Sequence, residues 1–317
     1  MNKKLFLILG LITLSAPAFP APAPGGNDSP NRASDQYCGE PLAEARIQAK
    51  TLPLKTNIAP EKIAVFLGLA SKAKVEELRM ALGPVSDEEL DLMAIAGKFP
   101  PFPVTRTPFE RLKSILASGA ILSPAEAARQ GVVLDTPFTP QLEYALFGGF
   151  DCIFASVGPR EGKKRYGDVA FVLNNNSLKK TAWATFSSGW YFMKTTKSTE
   201  TAPGQEDKLA YSETVFTAGE WGDVFPPAIV AYLREKPEKE AAGIKALLKA
   251  ASDRVEFQEL VDKFMLGYME AKIPRELPLE DVDSIEVPLD KLKEVLGWPE
   301  SKKWGSKITG AVPEENK

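Results

Sequence analysis

Between Tyr268 and Pro288 the chain reads as a short strand carrying one acidic residue, a proline-marked turn, a second strand and a stop. Short strands of this kind recur along the chain, interleaved with helical patterns and without a regular βαβ repeat, so the fold class expected is α+β. A carboxylate at the start of such a strand, here Glu270, is well placed to aim an acid into a cleft. It carries weight because the chain has no histidine. The commonest general base and the commonest neutral metal ligand are absent. Chemistry falls to carboxylates, Arg, Lys, Ser, Thr, Tyr or two cysteines.

The N-terminal residues point to export. Lys3 and Lys4 precede an apolar run of ten, residues 5–14, and Ala16 and Ala18 offer small side chains to a signal peptidase. The run falls short of the roughly 20 residues that span a bilayer as a helix. Residues 1–18 are therefore expected to be a signal peptide. The mature protein is expected to be periplasmic or secreted, with no integral membrane segment after cleavage. In an oxidising compartment, Cys38 and Cys152 suggest one disulfide. The net charge of -3 gives no basic excess for electrostatic nucleic-acid binding.

Residues 19–37, rich in Pro, Ala, Gly, Asn and Ser, read as a disordered linker. A helical subdomain is expected over 38–100. Pro60 is placed as a first-turn proline, and Ser86 to Glu89 form a capping box for a helix ending near Gly97. An α+β domain follows over 101–298, and a tail over 299–317. Within that domain, Val104 to Thr107 reads as a strand and Leu112 to Leu116 as a helix stopped by Gly119. Ser123-Pro-Ala-Glu126 caps another helix. Strands are expected at 152–157, 166–173 and 211–216. An aromatic-rich β segment is expected at 181–192, and helices over 233–264 broken at Pro237.

With Arg106 on an opening strand and "SILASGAILS" on the helix after it, the chain resembles mono-ADP-ribosyltransferase domains over about residues 102–290. Ser156 sits where arginine-type members place a Ser-Thr-Ser strand, reduced here to one serine between Ala155 and Val157. The 268–288 segment is similar to their last strand pair, a catalytic Glu followed by a proline turn and an I-x-V strand. The resemblance implies a split antiparallel β core of ADP-ribosyltransferase type with helical insertions, and NAD as co-substrate without a metal. The acceptor it implies is an unidentified protein or nucleic acid. Tyr268 stands where arginine-modifying members carry an additional Glu or Gln, which argues against arginine as that acceptor.

Such chemistry builds positive charge on the ribose as nicotinamide leaves, and a nearby carboxylate stabilises it. Glu270 is the preferred acid. Glu213 is the alternative, followed by Pro226-Pro-Ala-Ile-Val as a possible turn and closing element. Arg106 is suited to clamp phosphate, Ser156 to position the acid or ribose, and Trp190 and Tyr191 to stack on nicotinamide. The bland readings are a surface Arg106, a strand-end Ser156, an edge-strand charge at Glu270 and a core role for the aromatics. Histidine-dependent triads are excluded, and no G-x-S-x-G, P-loop or G-x-G-x-x-G motif occurs. A non-catalytic secreted binding protein with a degenerate transferase-like domain is the second reading.

Overall fold

Alternation of apolar residues with period two recurs through the middle and end of the chain, and strands form there. The computed structural model describes residues 80, 82–132, 152–178, 183–185, 215–217, 221–234, 237–264 and 269–311. The strands are β1 (Phe102–Thr107), β2 (Ala120–Leu122), β3 (Cys152–Gly158), β4 (Val169–Leu173), β5 (Trp183–Thr185), β6 (Val215–Thr217), β7 (Met269–Pro274), β8 (Glu276–Pro278), β9 (Val282–Pro288) and β10 (Ile308–Ala311). The α-helices are α1 (Asp87–Lys98), α2 (Leu112–Ser118), α3 (Pro124–Arg129), α4 (Asn175–Leu178), α5 (Trp221–Arg234), α6 (Pro237–Lys249), α7 (Arg254–Phe264) and α8 (Leu292–Leu296).

Among the described residues, eight strands form one sheet in the order β10-β9-β4-β1-β3-β7-β5-β6. Neighbours are antiparallel except β9 and β10. Strands β2 and β8 form a separate antiparallel pair. The chain is thus α+β, with an antiparallel-rich sheet.

Opposed residues in an antiparallel pair share a face, so the register sorts the side chains. Ile153, Ala155 and Val157 of β3, Val169, Phe171 and Leu173 of β4, and Met269, Ala271 and Ile273 of β7 point one way into the main core. Leu112 and Leu116 of α2 and Leu92 and Ala96 of α1 belong to the same core. The described end of the expected helical subdomain, α1, therefore shares its core with the sheet; residues 38–79 lie outside the described residues. On the opposite face, Phe102, Val104, Ala170 and Val172 make a smaller cluster against which Val255 of α7 packs.

Helix signals behave locally as expected. The Ser86 side chain accepts from the Glu89 N–H, and the Glu89 carboxylate accepts from the Ser86 N–H, closing the box that starts α1. Gly119 takes φ 77 to end α2, and Ser123 caps α3. Glu89 is used twice: Arg234 of α5 donates from Nε and Nη2 to its two oxygens.

Several expectations change. Pro226 and Pro227 lie inside α5 rather than in a turn. Residues 224–233 are buried throughout, and burial of this apolar stretch offsets the two helix hydrogen bonds that the prolines cannot donate. Residues 299–311 are no tail. Trp304 is buried and donates its Nε1–H to the Leu116 carbonyl at 3.0 Å, and β10 adds to the edge of β9. The strand expected from 166 starts at Val169, after a short 3-10 turn over Lys164–Tyr166. Asn175, just past β4, begins α4. Of the expected segments 181–192 and 211–216, only Trp183–Thr185 and 215–216 fall within the described residues. No described helix is long and apolar enough to cross a membrane.

Candidate active site

Strand β3 holds the centre, flanked by β1 on one side and β7 on the other. Ser156 is opposite Val104 of β1 and opposite Glu270 of β7. Arg106, two residues on from Val104, projects from the same face. The three residues thus occupy one face of three neighbouring strands, with the outer strands about 10 Å apart.

Glu270 is not an edge charge. Strand β7 is paired on both sides, to β3 and β5, and Glu270 is 3% exposed. Its Oε1 lies 2.5 Å from Nζ of Lys272, which is wholly buried. Lys272 stands opposite Phe154 and Trp183 in register, and its ammonium lies 5.6 Å from the centroid of the Phe154 ring. Ser156 is also buried, and its hydroxyl donates to the Val104 carbonyl at 3.1 Å.

Arg106 does something other than present an open phosphate clamp. Its Nε donates to the Gly167 carbonyl at 2.7 Å, Nη1 to that of Glu161 at 2.5 Å, and Nη2 to that of Asp168 at 3.0 Å. The planar fork is directed at the backbone of the β3–β4 loop, residues 159–168. Burial pushes its pKa down, against the opposing effects of Glu286, Asp168 and Glu161. The loop returns over the strands. A Cβ on Gly162, whose φ is 62, would stand 2.8 Å from Val104 Cγ1 and 3.0 Å from Ser156 Oγ, so only glycine fits that approach. Lys163 ties the loop to Asp262 of α7 at 2.9 Å, and Arg160 ties it to Glu286 and Ser284 of β9.

Because Arg106 holds three carbonyls of one loop, Arg106→Lys should keep a cation and lose the fork. The expected result is faster hydrogen exchange across residues 161–168, with the β7 amides unchanged. Unaltered exchange in the loop would show that the fork does not hold it.

The loop supplies a group that sequence reasoning missed. Glu161 is half-buried, and burial raises its carboxyl pKa, opposed by its own backbone N–H and Lys164 and reinforced by Glu259 and Asp262. Lys272 was missed as well. Its place after Glu270 and Ala271 in an alternating strand puts it on Glu270's face, which is the signal that could have found it.

Glu213, Trp190, Tyr191 and Cys38 lie outside the described residues. Cys152 is buried at the start of β3, opposite Pro274. Among the described residues, then, Ser156 and Glu270 are brought side by side and Arg106 shares their face, with its guanidinium turned to the loop. Against this geometry, neither the family models nor the curated proteins provide a match to the chain.

Proposed function

We propose that the chain is an exported enzyme acting on NAD, an ADP-ribosyltransferase or NAD glycohydrolase, with Glu270 as its carboxylate. The observation that carries this reading is the direct pairing of Ser156 with Glu270 on a face that Arg106 shares. The strands to which the resemblance assigns Arg, Ser and Glu are neighbours, although about 110 residues separate Ser156 from Glu270 in sequence.

In the reaction, the bond between ribose C1′ and the nicotinamide nitrogen breaks, and its electron pair leaves with nicotinamide. Positive charge develops at C1′, where the Glu270 carboxylate stabilises it. Water or an acceptor then donates an electron pair to C1′ and releases a proton. Ser156 sits beside the acid. Arg106 serves by holding the loop whose Gly162 seats on Ser156, in place of the phosphate clamp expected from sequence.

The test is nicotinamide release from NAD by the purified protein, alone and with candidate protein and nucleic-acid acceptors. Release with water alone identifies a glycohydrolase, and release with label transfer identifies a transferase. A protein that neither releases nicotinamide nor binds NAD by calorimetry overturns the reading. The second reading, a non-catalytic binding protein, draws on the engagement of Arg106 with loop carbonyls and the close seat of Gly162 on Ser156. Calorimetry without NAD binding favours it.

A further inference from the structure

We propose that Lys272 is a positioning residue for Glu270, holding its carboxylate in place within the sheet; this rests on the NAD reading above. An ammonium removed from water requires a compensating anion or it gives up its proton. Lys272 is 0% exposed, and the Glu270 carboxylate stands 2.5 Å from its Nζ. The two residues are separated only by Ala271, which points into the main core, so their stems rise from one face of a rigid central strand.

That placement matters for catalysis more than for assembly. A carboxylate acts on a ribosyl cation only if it is ionised and correctly directed when the bond breaks. The ion pair at Oε1 restrains where the carboxyl group can swing. Phe154, whose ring lies under the ammonium, limits where Nζ can move. Lys272 need not touch the dinucleotide. It acts through Glu270.

The experiment compares wild type, Lys272→Met, Lys272→Gln and Lys272→Arg for nicotinamide release from NAD. Circular dichroism establishes that each variant is folded. Methionine removes charge and donor together; glutamine keeps a donor and is the variant to read if the methionine protein does not fold. The expected result is a kcat lower by about tenfold to a hundredfold for the neutral variants, with KM within about twofold. Lys272→Arg should restore much of the lost turnover, because it keeps the cation. A folded neutral variant that turns over within about threefold of wild type, or faster, overturns the inference and leaves the NAD reading standing. A loss confined to KM also overturns it. A wild-type protein without turnover overturns the NAD reading, and the role assigned to Lys272 falls with it.

Discussion

Glu270→Gln should lower nicotinamide release from NAD by about 10²–10³-fold, as expected when one preorganised group facing transition-state charge is removed. The amide has nearly the shape of the carboxylate but leaves the buried Lys272 ammonium without the anion that stands 2.5 Å from it, so circular dichroism on the variant precedes the reading of turnover. What disappears is the negative charge, which matters most when C1′ becomes positive. The loss should therefore fall on kcat, with NAD affinity nearly unchanged. Single-turnover release and calorimetry on the same preparation separate the two effects. Glu213→Gln, measured in parallel, should retain full turnover. The reverse pattern, with Glu270→Gln active and Glu213→Gln inactive, would transfer the acid's role to Glu213.

Acid should weaken the fold through the ion pair of Glu89 with Arg234. Arg234 draws the Glu89 carboxyl down from the ordinary 4.5 to about 2, opposed by burial and assisted by the Ser86 cap. Because the folded value lies below the unfolded one, this contribution is complete above about pH 4.5 and is lost as pH falls toward about 2. The shift corresponds to about 3 kcal/mol. Arg234 also donates to the Leu82 and Pro84 carbonyls, so it joins α5 to the turn before α1 as well as to the helix itself. Arg234→Met should destabilise the protein by about 3–5 kcal/mol at neutral pH, since it leaves a buried carboxylate without its cation. It should also flatten stability between pH 4.5 and 2, where wild type declines. Urea denaturation at a series of pH values measures both effects. An acid decline equally steep in the variant would assign it to other carboxylates.

Local punctuation was readable from sequence. The Ser86–Glu89 box, the stop at Gly119 and the cap at Ser123 are each decided within a few residues, and each occurs where expected. Lateral position was not readable. Met269, Ala271 and Ile273 alternate with Glu270 and Lys272, a pattern ordinarily read as one face in the core and one in water. Here both faces are buried, and the two charges form an ion pair. The site's residue types could thus be picked from sequence, while their surroundings depended on which strands became neighbours. Arg106 shows the same division. Its strand was found, but the carbonyls it binds come from residues 161, 167 and 168, brought back by the loop. Pro226-Pro227 misled because proline normally marks a break, whereas tertiary burial carries α5 through both. The segment from 299 lacks a strong periodic run, and only Trp304 hints at its attachment.

The place of β7 has a consequence for how the chain reaches its folded state. It is supplied late in sequence, yet it fills the gap between β3 and β5. Until residue 274 is available, both partners present bare edges, and their closure requires long loops to be brought together. Folding should accordingly be slow for the chain's length, with high contact order, and fragments ending before β7 should aggregate instead of settling into a smaller native unit.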